Sequence, residues 1–267
     1  MLFFKRKTPY EKEMAALLKK ERRFLELRKN KKESFINQKL EKFVPKKLQG
    51  TLDSAFAKAF GIIFEKGTKV IEKTYNREGL EIDYYENDYR NGVLESKKTL
   101  RAFSKKAKAA GNKNLLFSGA AGIGMGILGV GIPDIPVFTA LLLKSVYEIA
   151  LDYGFDYDSE KERAFILWVI EGAVSYGENI EETNEKIEFF IKTGKLPEDY
   201  DQSEAIKSAA SNLSKELLYM KFVQGIPIIG AVGGFYDAVY MKRINEFANI
   251  KYRKRMLLKM KRKGGLK

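Results

Sequence analysis

Apolar residues recur at three- and four-residue spacing along most of this chain, and alternation of period two over five or more residues is hard to find. That pattern builds helices that bury one face, and it predicts an all-α fold, a multi-helix bundle. Thr8-Pro9-Tyr10-Glu11 is a capping box with proline at the first helical position, and it predicts a helix to about Asn30 with Met14, Leu17, Leu18 and Leu25 inward. A second helix is expected from Ser34 to Phe43. A third runs from about Thr51 to Tyr75 on Leu52, Ala55, Phe56, Ala59, Phe60, Ile63, Val70 and Ile71. Gly79 punctuates, and Tyr85, Tyr89, Val93, Leu100, Phe103 and Ala107 carry a further stripe up to Gly111. Val137–Asp152 reads as a strongly apolar helix. Ser159-Glu160-Lys161-Glu162 is a second capping box, opening the helix that holds Trp168. A helix over Glu181–Thr193 stops at Gly194 with Pro197 beyond. Ser203 caps the next, to about Val223, and the last begins after Pro227 and enters a basic tail.

Between these helices lies 119-GAAGIGMGILGVGIPDIP-136, with six glycines in thirteen residues and two prolines. Gly124-Met125-Gly126-Ile127-Leu128-Gly129 matches a dinucleotide-binding spacing. That fingerprint works only where a strand feeds the turn, and a Lys/Ala-rich helical run precedes it here. Leu115 to Pro133 carries no charge, and Asp134 alone interrupts an uncharged run to Leu143. The length is that of a membrane-seeking segment, yet the glycines and the Pro133/Pro136 pair argue against a straight span. A helical hairpin turning at Pro133-Asp134-Ile135-Pro136 fits better, either buried in the protein or inserted shallowly in lipid. Gly122 and Gly126, with Ser118 before them, form a small-residue seam that lets another helix approach closely. A second apolar punctuation mark, GIPIIGAVGG at 225–234, contains Pro227 and Gly230. Like the first, it precedes a long helix.

The chain of 267 residues has no cysteine and no histidine. Thiolate and imidazole catalysis, disulfides, and His- or Cys-based metal sites are thereby excluded. The net charge of +14 is uneven: residues 1–49 hold 16 Lys and Arg against 6 Glu, and residues 242–267 hold 11 against Glu246 alone. The body, 50–241, is mildly acidic. We read the chain as a single domain over 1–267, with basic N-terminal helices (1–49), a core (50–241) and a basic C-terminal helix and tail (242–267). The opening MLFFKRK has its basic residues after too short an apolar run for an export signal, so a cytoplasmic location is expected.

Lys5, Arg6 and Lys7 beside Phe3 and Phe4 combine charge with apolar anchors. So does the tail, where Lys251, Arg253, Lys254, Arg255, Lys259, Lys261, Arg262 and Lys263 interleave with Met256, Leu257, Leu258 and Met260. Basic amphipathic ends of this kind are expected to contact an anionic membrane surface. Nucleic acid would use the same charges, but no recognised motif accompanies them. Asp152, Asp156, Asp158 and Glu160 could hold a hard cation, although a helix end plus a capping box explains them without one. Asp134 is read as a helix cap, with a catalytic acid as the alternative. The tyrosines at 84, 85 and 89 are read as core and rim packing.

The glycine-rich run, GIPDIP, and the following VFTALLLKSVYEIALDYGFDYDSEKERAFIL together resemble the EcsC family of bacterial proteins. The opening YEKE, the segment Ile63-Phe64-Glu65-Lys66-Gly67 and the closing IPIIGAVGGFYDAVYMKRINEFA agree with it. The resemblance spans roughly residues 10 to 255, and its typical motif residues fall on Gly131, Pro133, Asp134, Pro136, Tyr153 and Gly154. Asp237 stands where the resemblance implies a polar amide. The resemblance implies an α-helical protein named for an operon whose other products form an ABC transporter, and it carries no recognised catalytic residue. The expected function is therefore that of a non-catalytic, cofactor-free, membrane-associated accessory protein, possible partners being an ABC transporter or another membrane protein. A carboxylate-dependent, lipid-directed enzyme and a nucleic-acid-binding protein are the alternatives.

Overall fold

A computed structural model describes residues 7–29, 46–109, 111, 134–223 and 234–264, with backbone alone at 134, 219–223, 234–238 and 263–264. The order is α1 (Pro9–Lys29), α2 (Lys46–Ile62), a π-helical turn (Ile63–Gly67), α3 (Thr68–Glu72), α4 (Arg77–Val93), α5 (97–109), α6 (Asp134–Asp152), α7 (Glu160–Val174), α8 (Gly177–Thr193), α9 (Gln202–Val223) and α10 (Gly234–Gly264). No strand occurs among the described residues, and the fold is all-helical.

Local chemistry sets most of the boundaries. Thr8 and Glu11 cap α1 reciprocally: Thr8 N–H donates to Glu11 Oε2 at 2.8 Å and Glu11 N–H to Thr8 Oγ1 at 3.1 Å. Ser159 Oγ accepts from Glu162 N–H at 3.2 Å and starts α7. Gly194 adopts φ +68° and closes α8, as the sequence predicts. The cap of α9 is Asp201 rather than Ser203, its Oδ1 accepting from Glu204 N–H at 2.8 Å. The helix expected over 34–43 lies outside the described residues, as does the whole of 112–133.

Two expected helices differ from the observed ones. The helix read as Thr51–Tyr75 starts at Lys46 and widens into the π turn at Ile63–Gly67. There Thr68 Oγ1 donates to Ile63 O at 3.1 Å, satisfying a carbonyl that the wider turn frees. The stripe read through to Gly111 is broken at residues 94–96. Ser96 and Thr99 cap α5 reciprocally, with Ser96 N–H to Thr99 Oγ1 at 3.0 Å and Thr99 N–H to Ser96 Oγ at 3.1 Å. Gly79 sits in the first turn of α4, where its N–H meets the capping Asn76 Oδ1 at 3.0 Å.

The centre of the bundle is α7, of whose 15 residues 12 are buried, a helix apolar nearly all round. It packs against α8, α9 and α10, while α10 also lies along α1 and α6. α6 is covered by α2, α4 and α10. Its buried Ser145 donates to Asn245 Oδ1 of α10 at 2.8 Å, and Asn245 Nδ2 donates to Gly111 O at 3.2 Å. Buried apolar side chains of all these helices join one hydrophobic cluster.

Tyr153 and Gly154 turn the chain out of α6. Tyr153 is buried and donates to Asn249 Oδ1 at 3.2 Å. Gly154 takes φ +75°, and a Cβ there would overlap the ring of Tyr84. We expect Gly154→Ala to lower the unfolding free energy by about 2–4 kcal/mol through combined strain and overlap. Equilibrium denaturation measures this, and a loss below about 0.5 kcal/mol, typical of neutral surface changes, would refute the packing.

Candidate functional site

The basic C-terminal helix turns its charges inward, contrary to the membrane-surface expectation for its first half. Lys251 has 0% exposure and reaches Glu21 of α1, Asn184 Oδ1 at 2.5 Å and Glu188 Oε1 at 2.8 Å on α8. Lys254, one turn on, binds the same two carboxylates, each at 2.8 Å. Burial alone would raise the Glu188 carboxyl, but Lys251 and Lys254 overcome it and hold it down at about 2. Arg253 donates to Glu13 Oε2 of α1 at 2.7 Å, and Arg101 of α5 reaches the other oxygen at 2.8 Å. Phe24 stacks on Phe247 with ring centroids 4.7 Å apart, so α1 is held to α10 by apolar and ionic contacts together.

Arg255 pairs two-pronged with Glu162 of α7, at 2.6 and 2.9 Å, and Tyr252 donates to the same carboxylate at 2.7 Å. Its guanidinium lies 4.0 Å from the Phe155 ring centroid and 4.2 Å from that of Phe165. Planar charge between aromatic faces with a bidentate carboxylate is a geometry lysine cannot reproduce. Lys259 donates to Gly154 O at 3.3 Å. These five residues brace the fold. In the last turns Lys261 and Arg262 are exposed, and Arg262 donates to Lys192 O at 2.8 Å. Lys7 is exposed before α1, while Lys5, Arg6 and the side chain of Lys263 lie outside the described residues.

The acidic segment 152–160 is also put to structural use. Arg77 bonds Asp156 at 3.1 Å, Asp158 at 3.0 Å, Glu72 at 2.5 Å and Glu81 at 3.0 Å, and it lies over the Tyr157 ring. Tyr157 donates to Glu72 at 2.7 Å and shares a 2.5 Å contact with the Tyr75 hydroxyl. Asp152 is different. It ends α6 with 3% exposure and with Oδ2 lacking a hydrogen-bond partner among the described residues, where the helix dipole also disfavours its charge. Burial raises its carboxyl to about 7, Glu148 adds to the rise, and Lys106 opposes it.

The outward charges that sequence reasoning missed lie on α2, the π turn and α3. Lys46, Lys47, Lys58, Lys66, Lys69 and Lys73 are all exposed there against Glu65, with Ile62 and Val70 exposed between them (51% and 65%). The signal was present at positions 58, 62, 66, 69 and 73, whose helical spacing opposes the buried Phe56, Phe60, Phe64 and Ile71. No described helix is long and apolar enough to cross a membrane.

The EcsC protein family model matches residues 11–257. The chain belongs to the EcsC family. Comparison with curated proteins and with solved structures finds no match. The EcsC marks fall on distinct parts of the fold. Ile63–Gly67 is the π turn under the lysine face, and Tyr153-Gly154 is the strained exit from α6. Asp134 opens α6 with exposed Pro136 in its first turn, three residues before the expected start. Gly122, Gly126, Gly131, Pro133, Pro227, Gly230 and the side chains of Asp134 and Asp237 lie outside the described residues.

Removing one partner of a buried ion pair strands the other, so Lys251→Ala should cost about 3–5 kcal/mol in denaturant unfolding. A loss under about 0.5 kcal/mol would place Lys251 on the surface instead. For Asp152 the unfolded chain sits near 3.8, so between that value and about 7 the folded state holds the extra proton and stability falls as pH rises. Asp152→Asn should remove this fall. Parallel stability curves for the two proteins from pH 4 to pH 8 would contradict it.

Proposed function

We propose that this EcsC protein is a non-catalytic accessory protein that sits peripherally at the cytoplasmic, anionic face of a membrane and acts through contact with another membrane protein. The family name and the resemblance it carries make an ABC transporter the first partner to test, an associational argument. The observation that supports the reading most is the face of α2 and α3. Exposed Lys58, Lys66, Lys69 and Lys73 surround Ile62 and Val70, and exposed Lys46 and Lys47 stand at the start of the same helical segment. A basic helical face with aliphatic anchors lies in the plane of an anionic surface, each lysine contributing about 1 kcal/mol there. The uncharged run from Leu115 to Pro133, which immediately precedes α6 in the sequence, adds a segment suited to shallow insertion.

In this reading the lipid contact lies on this face rather than at Lys251, Arg253, Lys254, Arg255 and Lys259, which are engaged within the fold. The exposed Lys7, Lys261 and Arg262 remain as auxiliary charges. Flotation with anionic and neutral vesicles tests this directly. Native protein should float with anionic vesicles and be released by salt, with any carbonate-resistant fraction reporting insertion of the uncharged run. Reversing Lys58, Lys66 and Lys69 to Glu together should weaken partition by about 100-fold or more, at about 1 kcal/mol for each lysine removed. No affinity for anionic vesicles, or unchanged affinity in the triple variant, would contradict the proposal. Salt-sensitive retention on DNA without vesicle binding would assign the face to nucleic acid.

A further inference from the structure

α4 turns an apolar stripe away from the core. Ile82, Tyr85, Tyr89 and Val93 follow one another at helical spacing and are 58%, 68%, 75% and 70% exposed, with Leu94 at 66% just past the helix end. This departs from the core-and-rim reading of the tyrosines: Tyr84 alone of the three is buried, packed against Phe103. Five large apolar side chains in one row are more than scattered surface residues, and the row is interfacial in composition, with two tyrosines at its centre. Gly92 lies on the same side, and a Cβ there would meet nothing within 4 Å, so the helix surface is low at that point.

The charges along the row are ordered. Glu78 begins the stripe and Glu86 lies on it, with Glu81 and Asp83 beside them; Arg90 follows, and Lys97 and Lys98 stand just beyond the other end. Glu81 and Asp83 are engaged by Arg77 and Lys106. Glu86 and Arg90 make only a long, exposed contact of 3.7 Å, and Glu78, Lys97 and Lys98 have no ion pair among the described residues. A row that is acidic at one end and basic at the other is complementary to itself reversed.

We infer that this face binds a second copy of the chain, the two α4 helices packing antiparallel across a two-fold axis near residues 87 and 88. In that arrangement Ile82 meets Val93 and Leu94 of the second copy, and Tyr85 meets its Tyr89 beside Gly92. Glu78 meets Lys97 and Lys98 of the second copy, and Glu86 its Arg90. Each contact occurs twice, as a closed two-fold interface requires. An anionic bilayer fits this row less well than it fits the α2–α3 face, because Glu78 and Glu86 stand exposed in the row itself.

Sedimentation velocity of the full chain over a concentration series, without lipid, tests the inference. Native protein should show a concentration-dependent dimer. Ile82→Ser with Tyr89→Ser should weaken it by about 100-fold or more at unchanged melting temperature of the monomer, as expected for anchors exposed in the monomer. Glu78→Lys should weaken the dimer, and adding Lys97→Glu and Lys98→Glu should restore it. The chain has no cysteine, so Glu86→Cys alone should crosslink to its own copy through a short bismaleimide, and Val70→Cys should not. A monomer at all concentrations, a dimer indifferent to these substitutions, or a charge swap that fails to rescue would overturn the inference. So would a lowered monomer melting temperature in the serine variant, which would mean that the chain's own segments cover the row. Loss of vesicle binding with unchanged oligomeric state would assign the row to lipid.

Discussion

Lys251 holds an ammonium group with no exposed surface between two carboxylates from helices far apart in the sequence, Glu21 on α1 and Glu188 on α8. A lone buried charge of this kind is prohibitive, so the position of each helix is conditional on the other two. Lys254 repeats the bridge, Arg253 extends it to Glu13, and Arg255 carries it to Glu162 on the central helix. The apolar cluster supplies most of the driving force for collapse, but it is non-directional. The charge seam supplies register, because a shift of one residue along α10 would leave four cations facing apolar side chains. A segment that looks like a solvated tail is therefore the strut around which α1, α7 and α8 are set.

Composition could not distinguish these two roles. A helix with basic residues and interleaved methionines and leucines reads as a lipid-contacting amphipath when seen alone. It reads as an internal strut only when its partners are known, and those lie 63 to 240 residues away. One clue was present in α1: Glu13 and Glu21 share helical phase with Leu17 and Phe24, so two carboxylates sit on the face that must be buried. Paired acids on an apolar stripe imply paired cations elsewhere. Features closed within four residues were legible, including the reciprocal cap at Thr8/Glu11, the Ser159 cap on Glu162 N–H and the left-handed stop at Gly194. The π turn was not, since its widening depends on the Thr68 hydroxyl and leaves the apolar spacing almost unchanged. Nor was the break after Val93, where apolar Val93-Leu94 runs straight through the helix end.

Moving the tail charges inside changes where function is sought. Of the residues read as membrane-surface cations, five are occupied in holding the bundle together, and their neutralisation would be seen first as loss of stability. The exposed face of α2 and α3 is the site we propose for an anionic surface, and it is continuous with the EcsC mark at Ile63–Gly67. The self-complementary row on α4 is a separate surface with different chemistry, tyrosine-rich and balanced in charge. The two faces are compatible with a paired protein lying on a membrane and contacting other proteins through its remaining surface.

Lys251 and Lys254 are internal cations and the α2–α3 lysines external ones, and lysine acylation read by mass spectrometry measures that residue by residue. In free protein Lys251 and Lys254 should be unreactive while Lys58, Lys66, Lys69 and Lys73 react freely. On anionic vesicles those four should become protected, with Lys251 and Lys254 unchanged. Ready acylation of Lys251 and Lys254 in free protein, with protection of these two rather than the α2–α3 lysines on vesicles, would contradict the account.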